Sequence, residues 1–302
     1  MKKSGMILMM TLLLITIMMG ITALVLTQSK RLLQLGKNAF SQSVSLGIVS
    51  DLERQLPSLL SVITGAEQLD LAMRLPLQLE SKKGDFMLKA RLTSTYSRLN
   101  INALMDPDGK INEHYVAVWM RLFALHPISN PEVFLNLVFD TLDTDRAERG
   151  IDTEIGLTRP DFKNGVIANA AQFNCILERY IEITRDTEVL SIPWNLYIGY
   201  AGDKMDFNAL NPEILSLILP GVSPEKIRAL TLYRTKAYAS KEEVVAAEPA
   251  LGTVFDNYFF IYKPGDSYTL VCDVRLKENA HEEHLTFQYN LLEKKVHRVE
   301  FL

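Results

Sequence analysis

Cysteine is scarce in this chain: of 302 residues only Cys175 and Cys272 are cysteines. Two thiols cannot build a disulfide framework or a cysteine zinc cluster. Whether they pair with each other in an oxidising compartment stays open, because nothing in the sequence places them together. The sequence holds no Walker loop, no GxGxxG turn and no HExxH helix, which removes the nucleotide and zinc-protease chemistries those motifs serve. Five histidines, His114, His126, His281, His284 and His297, lack metal-ligand spacing supported by carboxylates. His281 and His284 enclose Glu282 and Glu283 and read as a solvated turn. No nucleophile-base pair or carboxylate pair stands in a recognisable setting, so no catalytic residue is assigned and the chain is read as a non-enzyme. A basic excess is missing as well. The 32 Lys and Arg against 36 Asp and Glu leave a net charge of −4, so nucleic acid is not expected as the main partner.

One long apolar run is present, and it opens the chain. Lys2, Lys3, Ser4 and Gly5 precede 22 uncharged residues, Met6 to Thr27, followed by Lys30 and Arg31. As a helix this run is about 33 Å long, enough to cross a bilayer core. It is too long for a cleaved secretory signal and ends in Leu24-Val25-Leu26-Thr27 rather than a small-x-small exit. Lys2 and Lys3 favour a cytoplasmic N-terminus, although Lys30, Arg31 and Lys37 blunt that bias. Beyond the run, Leu33, Leu35, Phe40, Val44, Ile48, Leu52 and Leu56 continue a helical stripe to Pro57. A short basic leader ending in Gly5 directly before an apolar helix resembles the type IV prepilin signal. The resemblance implies that a membrane peptidase cuts between Gly5 and Met6 on the cytoplasmic side, leaving the apolar helix as the mature N-terminus.

The remainder divides by pattern. Leu59 to Leu75 reads as an amphipathic helix, and Phe86 to Leu92 as a strand extended towards Ile101. From Met105 to Tyr262 helical patterns dominate: Tyr115–Ala124, Pro131–Asp140, Ala170–Thr184, Pro212–Leu219, Pro224–Thr235 and Lys241–Ala247. Strands return at Tyr268–Val274, His284–Leu291 and Val296–Leu302, with a hairpin turn at Glu293-Lys294-Lys295. The expected class is α+β: a pilin-like long N-terminal helix packed on an antiparallel sheet, with a large all-helical domain inserted between strands. Residues 1–5 form the leader, 6–56 the N-terminal helix, 57–104 the first pilin-like part, 105–262 the insertion and 263–302 the closing strands. Two segments echo each other, Leu99-Asn100-Ile101-Asn102-Ala103-Leu104 and Met205-Asp206-Phe207-Asn208-Ala209-Leu210. Their asparagines read as helix caps and strand-exit hydrogen-bond donors.

Taken in order, these segments resemble the type II secretion minor pseudopilins of the general secretion pathway protein K family, within the type IV pilin-like superfamily. The resemblance rests on the leader, on Leu99–Leu104, on Asp140-Thr141-Leu142-Asp143-Thr144-Asp145 with Thr141 where the family usually has tryptophan, and on Asp206–Pro212 through Leu219-Pro220-Gly221-Val222. Arg234 and Lys241–Val244 extend it. It implies a subunit that caps a short periplasmic pseudopilus, initiates its assembly and helps protein export across the outer membrane. The partners implied are minor pseudopilins I and J, other pseudopilins and the prepilin peptidase. The location implied is the bacterial inner membrane, single-pass, with the N-terminus cytoplasmic and the bulk of the chain periplasmic. Most pilins carry Glu at the fifth mature residue, where its carboxylate pairs with a neighbour's N-terminal amine in lipid. Here that position is Met10, as in the protein K family, and a tip subunit has no amine above it to neutralise.

Asp140, Asp143, Asp145, Glu148, Asp152 and Glu154 crowd 15 residues and suit a hard cation such as Ca²⁺, which takes six to eight oxygens. The resemblance implies calcium in this region. Arg146 and Arg149 lie within the cluster, and a solvated loop neutralised by them is the competing reading. A second function class comes from 212–236, where two helical patterns around Pro220-Gly221 resemble a helix-hairpin-helix. With Lys226, Arg228, Arg234 and Lys236 it would suit a DNA phosphate, as in a type IV pilus or DNA-uptake minor pilin.

Overall fold

The computed structural model describes residue 54 and residues 63–80, 86–106, 108–278 and 281–301. Gly5, Met6, Met10 and the long helix expected over 6–56, residue 54 excepted, lie outside the described residues. The chain divides into two units, Met1–Leu59 and Leu60–Leu302, and the second is described below.

It opens with α1, Ala66–Arg74. Gly65 stands extended before it (φ −178°), so among the described residues the helix starts at Ala66, later than the expected Leu59; glycine is a weak helix former. Leu75 turns extended (φ −98°, ψ 107°) because the ring of Pro76 disfavours a helical residue before it. Strands β1 (Leu77–Glu80) and β2 (Phe86–Ser94) pair antiparallel. β1 was not expected, since four residues carry too little alternation to be read. β2 ends at Ser94, short of the expected Ile101. The Ser94 Oγ accepts from Tyr96 N at 3.0 Å, and Ser97 Oγ donates to Ser94 O at 2.8 Å; such local side-chain bonds offer the backbone a turn instead of a strand.

From Ser94 the chain leaves the sheet and returns at β7 (Thr269–Glu278), which pairs with β2 over nine residues, Phe86↔Glu278 to Ser94↔Leu270. β8 (His281–Asn290) and β9 (Lys295–Phe301) complete a five-stranded antiparallel sheet in the order β1-β2-β7-β8-β9. Alternate residues Leu270, Cys272 and Val274 of β7 and Phe287 and Tyr289 of β8 are buried, the two-residue period of a half-buried sheet. His284 corrects the sequence reading. The strand expected from His284 begins at His281 instead, so the residues between them are strand and not a solvated turn, and His284 Nε2 lies 2.9 Å from Asp273 Oδ2. Cys175 and Cys272 are free thiols, and burial among sheet side chains pushes the Cys272 thiol up to about 12.

Between β2 and β7 the chain is mostly helical: α2 (Glu113–Leu125), α3 (Pro131–Leu142), α4 (Ile155–Thr158), α5 (Ala170–Thr184), α6 (Trp194–Tyr197), α7 (Pro212–Ile218), α8 (Pro224–Thr231), α9 (Lys241–Ala247) and α10 (Phe255–Tyr258). Two aromatic groups hold it together. Trp119, Phe123, Phe134, Phe173 and Trp194 interlock, with Phe134 and Trp194 stacked at 5.5 Å. Phe207, Phe255 and Phe259 form the second group. Such rings supply large apolar area and about 0.5–1.5 kcal/mol per pair beyond it.

The echoing segments build the same device twice. β3 (Leu99–Asn100) pairs parallel with β4 (Ile198–Gly199), and β5 (Met205–Asp206) with β6 (Phe259–Phe260). Each first strand runs into a 3₁₀ turn, Ile101–Leu104 or Phe207–Ala209, capped by the side chain of Asn100 or Asp206. The asparagine two residues on then grips a distant backbone from both sides. Asn102 donates to Ile167 O at 3.0 Å and accepts from Ile167 N at 2.8 Å; Asn208 does the same to Tyr238, both at 2.9 Å. Two residues beyond each gripped position stands a helix cap, Asn169 or Ser240. Gln172 and Glu243 reach back to the amides of Ala168 and Ala239 at 3.0 and 2.9 Å, one residue before the cap amide that a capping box uses.

Candidate functional site

The six carboxylates of the acidic segment lie between the end of α3 and α4, and they do not converge on one point. Asp140, on the last turn of α3, has no exposed side chain and accepts from Thr153 Oγ1 at 2.5 Å and from Arg149 N at 3.1 Å. The Arg149 guanidinium lies 3.4 Å from Asp140 and 3.1 Å from Asp143. Burial raises both carboxyls, opposed at Asp140 chiefly by the Thr153 hydroxyl and at Asp143 chiefly by Arg149. Asp145 accepts from Ala147 N at 2.8 Å, Glu148 is exposed, and Asp152 points towards Arg179 at 3.6 Å. Among the described residues no three His, Cys, Asp or Glu side chains group so as to hold a metal ion.

Glu154 differs from the other five. It is fully buried, and no cation bridges it among the described residues. Its partners are neutral: Gly156 N at 3.0 Å and Asn164 Nδ2, which is 3.0 Å from both carboxylate oxygens. Asn164 also donates to Asp145 O at 3.1 Å, tying the loop after α3 to the segment before α5. Two oxygens remain buried without a hydrogen-bond partner, Asp143 Oδ1 and Asn164 Oδ1. Buried charges are normally paired or bound to metal, and bare buried acceptors are uncommon. Of these groups the hydrogen bonds bring together Glu154 and Asn164, while Asp143 is tied to Arg149, so the six carboxylates of the sequence reading are not one donor set. Asn164 was missed there because an amide 10 residues from Glu154 carries no charge pattern to find it by.

The hairpin at 212–236 forms as two helices, α7 and α8, each with a side-chain cap and a proline in its first turn. Its basic residues are unevenly available. Lys226 and Arg228 are exposed, Lys236 lies 3.4 Å from Glu243, and the Arg234 side chain is only 6 % exposed and held by Asp70. A guanidinium committed to a buried carboxylate cannot also serve a phosphate, so the set of four cations reduces to three, with Lys236 in an exposed surface pair that is worth little.

No family model matches the chain, and none of the curated proteins matches it. Among solved structures it is similar to a chain in the crystal structure of the GspK-GspI-GspJ complex from the enterotoxigenic Escherichia coli type 2 secretion system. The TM-score is 0.54 at 15 % identity, over 84 % of this chain and 99 % of that chain. At this identity the likeness is one of fold.

Proposed function

We propose that this chain is the minor pseudopilin at the tip of a type II secretion pseudopilus, where it initiates assembly and helps export across the outer membrane. The observation that carries the reading is the topology. A helical block, residues 101–260, enters between two directly paired strands of an antiparallel sheet, in a fold shared with a chain of the GspK-GspI-GspJ complex. Behind it stands a sequence with a basic leader, a 22-residue apolar run and methionine at position 10. Among the described residues no helix is long and apolar enough to cross a membrane; the apolar run lies outside them, so the membrane span rests on sequence. On this reading the peptidase cuts between Gly5 and Met6. The Met6–Thr27 helix holds the chain in the bacterial inner membrane with its bulk in the periplasm, and minor pseudopilins of the I and J kind lie beneath it. A tip role needs no active site, and no residue is assigned to catalysis. N-terminal sequencing of the membrane form tests the processing step: a start at Met6 supports the reading, and a start at Met1 or beyond Thr27 removes it.

Calcium belongs to the same proposal. Glu154 with its neutral partners and the bare oxygen of its neighbour Asn164 suit a hard cation, whose charge would offset the buried carboxylate. Its effect would be structural, fixing the loop between α3 and α5. In calorimetric titration of the purified chain with CaCl₂ the account expects saturable heat that Glu154→Gln abolishes. No heat and no thermal shift at millimolar calcium would end the idea.

A further inference from the structure

Apart from the acidic loop, a second buried charged cluster stands among the described residues, at the junction of the helical block with the sheet. Asp206, at the end of β5, is buried to 1 % exposure. Its Oδ2 accepts from Tyr268 Oη at 2.7 Å, and its Oδ1 from Asn208 N at 3.1 Å. Tyr268 leads into β7 and is itself fully buried, packed against Tyr96 and Tyr262 at 5.0 and 4.9 Å. On the other side stands Arg234, just past α8. It binds Asp70 of α1 and Thr231 O, donates to Asn208 O at 2.6 Å, and leaves its Nε buried without a partner. Asp70 is shared with Arg74 at 2.8 Å. The groups facing Asp206 are therefore Tyr268 from the segment before β7, Arg234 from the end of the hairpin, and Asp70 from α1, with Tyr96 behind Tyr268 and Arg74 behind Asp70.

In this arrangement one buried guanidinium faces two carboxylates, and among the described residues its direct ion pair is with Asp70. The hydroxyl of Tyr268 and the amide of Asn208 are neutral donors, so among the described residues an ionised Asp206 keeps no contact cation of its own. We propose that Asp206, Tyr268, Arg234 and Asp70 form a proton-operated latch between the helical block and the α1-sheet part, firmest when Asp206 carries a proton. The protonated carboxyl still satisfies the Tyr268 oxygen, because either partner of that contact can donate. Burial pushes the Asp206 carboxyl up to about 6, against the opposing pull of Tyr268, Asn208 and Arg234. The native pKa lies above the unfolded one, so the native state binds the extra proton. The stabilisation is complete below the unfolded value and is lost as pH rises through about 6.

Hydrogen exchange of the full chain in detergent, corrected for intrinsic exchange and read on peptides covering 205–210 and 234–240, tests this between pH 5 and pH 7.5. Protection in the wild type should fall several-fold across that interval, with a midpoint near neutral-acid pH. Asp206→Asn, which keeps an acceptor and removes the titration, should flatten the profile. Should that variant fail to fold, Tyr268→Phe removes a donor to the ionised form and should move the midpoint upward. A wild-type profile that is already flat, an Asp206→Asn profile superimposable on a sloping wild type, or a Tyr268→Phe midpoint that does not move would each overturn the latch.

Discussion

Asp186 sits between α5 and α6 and gathers donors from three places. Its carboxylate accepts from Ser129 N at 2.6 Å, Glu188 N at 2.9 Å and Tyr180 Oη at 3.0 Å. These bonds favour the charged form, the Ser129 amide first, and hold the carboxyl below its ordinary value. The group therefore adds stability above its unfolded pKa of about 3.9, and that stability is lost as pH falls through the lower native value. Asp186→Ala should cost about 1–2 kcal/mol at pH 7, with the difference from wild type shrinking below about pH 4. Urea unfolding at pH 7 and pH 3 measures both. Asp206 is the mirror case, a carboxyl whose neutral form is favoured by burial. Arg149 illustrates why charge counting in a sequence is incomplete. It lay within the acidic cluster as a possible neutraliser, and in the fold it serves Asp140 and Asp143 and not Glu154, which among the described residues has no cation beside it.

Element boundaries were legible where the ends carry their own chemistry. α5 and α9 begin where Asn169 and Ser240 cap them, and their expected limits match to the residue. Asn130-Pro131, Asn211-Pro212 and Ser223-Pro224 mark three further starts, since such a cap satisfies free amides and proline suits the first turn. The ends of α7 and α8 were read one and four residues too long, because nothing in Thr231–Thr235 announces a stop. The two-residue parallel pairs were invisible, as each depends on a partner strand far away in sequence. Asn102 and Asn208 show the same limit. Capping explains their neighbours Asn100, Asp206 and Asn211, whereas their own grip on Ile167 and Tyr238 is a long-range contact. Asn102→Ala and Asn208→Ala should each cost about 2–3 kcal/mol by stranding a backbone amide and carbonyl, read by thermal or urea unfolding. Equal costs would support two equivalent devices. A loss below about 0.5 kcal/mol at either site would show that the grip there adds little beyond an ordinary exposed bond.

At the scale of the molecule, the α+β character could be read from the order of patterns alone: strand, long helical stretch, three strands. The site was less legible, because the acidic residues of one loop turned out to have four different kinds of partner, and because the buried cluster at Asp206 draws on α1, the hairpin and the segment before β7. Function on this account lies in where the chain sits in a fibre. On the proposed reading, methionine at position 10 would remove the need for a neighbour's amine above it. The most direct measurement is gold labelling of an epitope-tagged chain on isolated pseudopili, with wild type and Met10→Glu compared. The account predicts wild-type label at one end of each fibre, and fewer or shorter fibres with Met10→Glu, whose carboxylate would lie in lipid without a partner. Label spaced along the shaft in both proteins would contradict it.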